Sequence, residues 1–210
     1  NDRLQVLRVV ADSETTVTGL AAAFSAARPL RVLVECDTGG GRVGVQTPAA
    51  AVALARAIST HPGLRFDGLL TYPAVGGAAR VEAFLSETMA GLAAVGLACP
   101  VRSNGGSPDL WQAHLVPSAT EHRAGTYVYN DRSMVRSGEC AKEDIAMLIL
   151  ATVVSRPTPT RAVIDAGSKA LTSDLLGFTE YGEIEGLDGA RIVSLSEEHG
   201  VVDLSHCSGP

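Results

Sequence analysis

Between residues 4 and 103 one pattern repeats: a short run of aliphatic and β-branched residues, a polar turn, then an Ala-rich stretch of helical character. This repeat narrows the fold more than any other feature. Regular βα alternation with short connections implies a parallel sheet, open or closed into a barrel. Residues 4–10 read as the first strand, ending in Ala11-Asp12. Ser13 is a good N-cap with Glu14 in the first turn, where the helix dipole favours a carboxylate. The helix it starts runs to about residue 27, where Arg28-Pro29 ends it. Residues 30–35 (LRVLVE) form a second strand, closed by the glycine turn 38–41. Thr47-Pro48 then opens a helix to about Thr60, with proline at the favoured first position. Residues 65–70 are a strand, 79–95 a helix and 99–103 a short strand, which runs into Asn104-Gly105-Gly106-Ser107.

Composition suits that arrangement. Hydrophobic residues make up 46% and aromatics only 4%, so the core rests on Ala, Val and Leu. Such small side chains fit buried strands covered by helices. A net charge of −6 and the lack of any Lys/Arg cluster argue against nucleic-acid binding. No apolar run reaches the roughly 18 residues of a membrane span. Asn1-Asp2-Arg3 leads directly into a strand-like run, which does not read as a signal peptide. Cys36, Cys99, Cys140 and Cys207 have no paired spacing, and reduced thiols in a cytoplasmic protein are the simplest reading.

The texture changes after residues 126–129, which read as a strand. Residues 145–154 are continuously apolar and end in Ser155-Arg156-Pro157. Residues 161–165, 191–194 and 201–204 are short, β-rich and separated by glycine-containing turns. The expectation is an α/β chain in two parts: residues 1–134 forming part of a (β/α)8 TIM-type barrel, and 135–210 forming part of a β-rich domain. Three or four βα units are too few to close an eight-stranded barrel. The first residue is not Met, and the last β segment stops short, so the chain reads as a piece of a longer protein.

Four segments carry chemistry. ECDTGGGRVG (35–44) follows a buried strand and sets Arg42 at the C-terminal rim of the sheet, where parallel barrels gather their active sites; a glycine turn with a solvated Arg is the plain alternative. SNGGSP (103–108) again lies at a strand end, where amides and hydroxyls can cradle a phosphate, helped by a helix dipole if a helix follows. It is not a P-loop, since the spacing is wrong and no Lys follows. In EHRAGTYVYND (121–131), Gly125 and Thr126 can offer amides to the same anion, with Tyr127 beginning a strand; a turn before an edge strand is the alternative. DAGSKALTSD (165–174) holds Lys169, read as a solvated surface residue rather than a catalytic amine.

Taken in this order, DTGGGRVGV, SNGGSP, EHRAGTYVYND, ATVVSRP, RAVIDAGSKALTSD and SEEHG resemble the D-threonine aldolase and D-serine dehydratase branch of the fold-type III pyridoxal-phosphate enzymes, which share the alanine racemase barrel. The resemblance covers nearly all the chain from about Leu30. It implies cofactor-binding roles by position. Arg42 matches an arginine that approaches the cofactor's phenolic oxygen, and Tyr72 a residue beside the cofactor ring. Gly105, Gly106 and Ser107 match the phosphate loop, and Gly125, Thr126 and Tyr127 the second half of that cradle. Arg123 falls where racemases set an arginine against the pyridine nitrogen.

The departures are equally specific. Only two lysines occur, Lys142 and Lys169, against fifteen arginines. Neither matches the family's Schiff-base lysine, which is expected upstream of residue 1. The family's metal pair is a His followed two positions later by Cys or Asp. His206-Cys207 does not match it, so no metal ligand is assigned here and the ligands are expected beyond Pro210. Aldolases of this type carry a His shortly after the tyrosine matched by Tyr72; here Pro73-Ala74-Val75-Gly76-Gly77 follows. For the intact protein the resemblance implies pyridoxal phosphate and a divalent metal, Zn or Mn. The reaction would be aldol cleavage of D-threonine-like 3-hydroxy amino acids or dehydration of the D-serine type. An amino-acid racemase or a non-catalytic pyridoxal-phosphate protein on the same barrel is the alternative. The implied partner is a small amino acid, with no nucleic acid or membrane. Fold-type III enzymes are often homodimers, so the resemblance allows a homodimer. The 210-residue chain alone is expected to be inactive.

Overall fold

A computed structural model describes residues 4–207. The chain divides between Asp144 and Ile145 into two compact units.

The first unit contains β1 (Arg8–Ala11), α1 (Glu14–Ala23), β2 (Leu30–Cys36), α2 (Pro48–Thr60), β3 (Leu64–Thr71), α3 (Ala78–Ala94), β4 (Val101–Asn104), β5 (Glu121–His122) and the short α4 (Arg132–Arg136). Its five strands pair in parallel in chain order. Sequential parallel pairing through helices is the winding of a βα barrel wall. Local chemistry explains the helix starts. Ser13 Oγ accepts from the Thr16 amide, and Thr47 Oγ1 accepts from the Ala50 amide just before Pro48. Alternate residues of β2 (Leu30, Val32, Val34 and Cys36) are buried with Ala51, Leu54, Ala55 and Ile58 of α2 and with Val81, Phe84 and Leu85 of α3. The alanines on α2 let the helix lie close to the sheet.

Two features shape the sheet itself. Arg8, Arg31 and Arg65 stand in register on β1, β2 and β3. One buried carboxylate, Asp67, bonds to Arg8 at 2.5 Å and Arg31 at 3.4 Å and pairs with Arg65 at 3.6 Å. A bulge at Asp67 allows this, shifting the register so that Val32 faces Phe66 and Leu33 faces Gly68. A Cβ at Gly68 would lie 1.9 Å from the Val101 carbonyl oxygen, so β4 can approach only a glycine there.

The second unit is antiparallel: β6 (Val153–Thr158), β7 (Arg161–Ile164), β8 (Gly182–Glu183), β9 (Arg191–Leu195) and β10 (Gly200–Asp203), in the order β6-β7-β10-β9-β8. Its core is small: Ala162, Ile164, Ala166, Ala190, Ile192 and Val202. The SEEHG turn docks on the AGSK turn. The amides of Ser168 and Lys169 donate to the carbonyls of Ser196 and Glu197, and Lys169 Nζ meets Glu198 at 2.7 Å and Glu197 at 3.2 Å. Lys169 is thus an exposed, ion-paired residue.

Several boundaries differ from expectation. The first strand begins at Arg8, not Leu4, because its partner strand begins only after Pro29. Helix α1 stops at Ala23, ahead of the tight turn in which the Arg28 amide donates to the Ser25 carbonyl. The strand expected at 99–103 begins at Val101. In place of a strand, Thr126–Val128 is a 3-10 turn. A 3-10 helix, Leu110–Leu115, follows SNGGSP in place of a full α-helix. The parallel unit runs to Asp144. Segment 132–144 is tied back to the parallel unit: the Asp109 amide donates to Glu139 Oε1, Trp111 Nε1 to the Glu139 carbonyl and Asn130 Nδ2 to the Asp144 carbonyl. Of the apolar run 145–154 only the end is strand, and Met147, Leu148, Ile149 and Leu150 are exposed.

Candidate functional site

The C-terminal ends of β2, β3, β4 and β5 form one rim. The loop after β2 is organised by Asp37, whose Oδ1 accepts from the amides of Gly39 (2.8 Å) and Gly41 (3.1 Å). Those two bonds hold its carboxyl below the usual aspartate value. Arg42 leaves this loop and lies over the Tyr72 ring, its guanidinium carbon 4.9 Å from the centroid, within cation–π range. Tyr72 follows β3 directly. Its ring reaches the loop after β4: a Cβ at Gly106 would stand 3.0 Å from the phenolic oxygen, so the aromatic ring occupies space that only a glycine there leaves open.

The loops after β4 and β5 are stitched together. The Arg123 amide donates to the Asn104 carbonyl at 2.9 Å, and Ser107 Oγ accepts from the amides of Gly125 (3.0 Å) and Tyr127 (3.2 Å). Gly105 and Gly106 have φ of 139° and 155°, beyond what a side chain readily adopts. In this conformation the amides of Gly105, Gly106, Ser107 and Thr126 find no acceptor among the described residues. Three of the four belong to buried residues. Unpartnered buried amides are costly, and consecutive ones on a glycine loop form an anion-binding concavity. Ser107 completes it, since an oxygen that already accepts two N–H bonds keeps its own proton for a further acceptor.

Arg123 projects beneath this rim. Its Nη1 donates to Ser103 Oγ at 2.6 Å and its Nη2 to the Thr71 carbonyl at 3.0 Å. Burial pulls the guanidinium below the usual arginine value, and Glu121 and Glu35 oppose that shift. Beside it the Thr38 and Thr71 hydroxyls share a buried hydrogen bond of 2.6 Å.

The structure therefore brings Arg42, Tyr72, Gly105, Gly106, Ser107, Arg123, Gly125, Thr126 and Tyr127 to one rim. Of their supports, Ser103 lies within SNGGSP but binds Arg123, whereas Thr71 and Asp109 escaped the sequence reading because each acts through a distant partner. Asp109, at φ 65°, accepts from the Gly76 amide at 2.6 Å and so ties the loop after Tyr72 to the anion loop. Lys142 lies elsewhere in the parallel unit, in the exposed turn Lys142–Asp144, and Lys169 in the antiparallel unit. Cys207 packs against the small antiparallel core. Among the described residues no group of three or more His, Cys, Asp or Glu is placed to hold a metal ion, and no helix is long and apolar enough to cross a membrane.

A parallel βα unit followed by an antiparallel β unit is the arrangement of the alanine racemase-like class of α/β fold. The chain belongs to the alanine racemase N-terminal domain family, whose model matches residues 3–133, and a putative serine dehydratase domain follows at residues 146–209. It is 30% identical to the D-threo-3-hydroxyaspartate dehydratase of Delftia sp. (strain HT23), over 93% of this chain and 58% of that enzyme. It is also 30% identical to a D-threonine aldolase of Arthrobacter sp., over 95% of this chain and 55% of that protein. The solved structure of the Delftia dehydratase superposes with a TM-score of 0.80 at 29% identity, covering 95% of this chain and 59% of that one. The chain thus spans a little over half the length of the relatives it matches.

Proposed function

We propose that the intact protein is a pyridoxal-phosphate-dependent lyase acting on D-configured 3-hydroxy amino acids, by aldol cleavage or by dehydration. One observation carries this reading: the unpartnered amides of Gly105, Gly106, Ser107 and Thr126 converge at the strand ends, and the family to which the chain belongs supplies a phosphorylated cofactor for them.

The cofactor, once bound, is an electron sink for charge left at the substrate's Cα. The chain's own residues bind and orient it. Ser107 would donate its hydroxyl proton to the phosphate, and the four amides would bind its other oxygens. Arg42, held on the Tyr72 ring, would supply N–H donors to the cofactor's phenolic oxygen. Arg123 is fixed by Ser103 and Thr71 and can only donate, so it would hold an acceptor nitrogen of the cofactor ring. Tyr72, itself solvent-exposed, lines one side of the cradle against Gly106.

The divalent metal of the resemblance finds no fitting donor set among the described residues, and no step here runs through it. The cysteines are all free. Burial pushes the Cys36 thiol up to about 12 and that of Cys99 to about 11, which makes both poor nucleophiles.

Purified protein from the complete reading frame tests this reading. Incubation with D-threonine, D-serine and D-threo-3-hydroxyaspartate is expected to release glycine and an aldehyde, or a keto acid, with D- over L-selectivity. Cofactor bound without turnover of any of these would favour the non-catalytic alternative, and interconversion of D- and L-alanine the racemase.

A further inference from the structure

The anion loop is held from outside as well as by its own glycines. His122, the last residue of β5, reaches across to the loop after β4, its Nε2 2.9 Å from the Gly106 carbonyl oxygen. A carbonyl only accepts, so Nε2 must carry the proton. The other ring nitrogen, Nδ1, is buried and has no hydrogen-bond partner among the described residues. A neutral ring protonated at Nε2 satisfies both conditions, because it leaves an unpaired acceptor rather than an unpaired buried N–H.

We infer that His122 is a positioning residue for the anion cradle. Its Nε2–H turns the Gly106 carbonyl away from the bound anion and thereby keeps the Ser107 amide, which lies in the same trans peptide plane and points the opposite way, facing it. The other ties between the two loops fix their edges. Arg123 N–H holds Asn104, and Ser107 Oγ gathers the amides of Gly125 and Tyr127. Within the stretch that carries the free amides, His122 supplies the side-chain donor to the backbone. Its register partner is Asn104, the last residue of β4, which leads directly into the loop. A loop with two residues at φ of 139° and 155° has other conformations open to it. Without the His122 bond the Gly106 peptide is free to rotate, and a carbonyl oxygen would then point at the anion.

This inference rests on the cofactor reading, and it separates from that reading by comparing ligands with and without the phosphate. Binding of pyridoxal phosphate and of pyridoxal to the 210-residue chain is followed by ligand fluorescence. His122→Ala is expected to weaken pyridoxal phosphate about tenfold and to leave pyridoxal unchanged. His122→Gln, whose amide replaces Nε2–H, is expected to restore most of the loss. A purely structural role would weaken both ligands alike, and that result would overturn the proposal, as would unchanged phosphate-ester binding in His122→Ala. Long-range 15N–1H correlation of the unmodified protein reads the tautomer independently. A protonated Nε2 is expected; a protonated Nδ1 with bare Nε2 would remove the hydrogen bond and the proposal with it. If the unmodified chain fails to prefer the phosphorylated ligand, the cofactor reading fails, and the tautomer still decides whether His122 holds Gly106.

Discussion

The two units treat their backbone polar groups differently. In the parallel unit, helices cover one face of the sheet and the strand ends open onto loops whose amides are left over. In the antiparallel unit, hairpins join β6 to β7, β8 to β9 and β9 to β10, the 165–181 connection carries the chain from β7 to β8 at the far edge, and loop amides bond to other loops where the 168–169 turn meets the 196–199 turn. Parallel strands all deliver their C-terminal ends to one rim, so surplus donors accumulate there; hairpins spread them over both edges. The same contrast governs charge. The parallel unit gathers three arginines on one buried aspartate, whereas Lys169 of the antiparallel unit pairs with Glu197 and Glu198 in water. The site we propose accordingly lies on the parallel rim, and the antiparallel unit contributes a sheet with a small core.

The sharpest way to break this comparison is to attack the two cores. Leu69→Ala, at a fully buried site between β2, α2 and α3, is expected to destabilise the parallel unit by about 2–5 kcal/mol. Trp111, the single tryptophan, lies in that unit, so its fluorescence during urea unfolding reports the loss. Ile192→Val in the antiparallel core is expected to cost about 0.5–1.5 kcal/mol, and to speed amide exchange in β9 and β10 more than in β2 and β3. Equal effects on both units from either change would show that the cores do not act separately.

Charge gives the middle and the smallest effects. Burial pushes the Asp67 carboxyl up, but Arg8 and Arg31 outweigh it and hold the group below the ordinary value near 3.8. A depressed carboxyl contributes stability above that ordinary value and loses it as pH falls through the lower, folded value. Asp67→Asn is therefore expected to cost about 1.5–3 kcal/mol at neutral pH, toward the lower end because its arginines are a third or more exposed. It should also flatten the acid limb of a stability–pH curve. Lys169→Ala, at the fully solvated pair, is expected to leave thermal unfolding unchanged between low and high salt. A marked drop would make the two ion clusters equivalent and contradict the contrast.

Much of the parallel unit is legible in the sequence because its signals are local. Ser13 and Thr47-Pro48 announce helices, and alternation in LRVLVE announces a buried strand. What escaped depends on partners. Residues 4–7 are as apolar as a strand, but opposite them the chain is still turning around Arg28-Pro29. TYVY alternates like a strand, yet the Gly125 and Tyr127 amides are claimed by Ser107 Oγ, eighteen and twenty residues away, and a 3-10 turn results. The candidate site divides the same way. Its glycines and arginines can be found by motif, whereas the Arg42–Tyr72 stacking, the Ser103 and Thr71 supports of Arg123, and the Asp109 tie to Gly76 arise only when strand ends meet.

The most direct test is amide chemical-shift mapping of the 15N-labelled 210-residue chain during titration with pyridoxal phosphate. The account predicts that the largest shifts fall on Gly105, Gly106, Ser107 and Thr126, with Gly125 and Tyr127 next and residues 153–203 nearly still. Largest shifts within the antiparallel unit, or none at the four unpartnered amides, would contradict it.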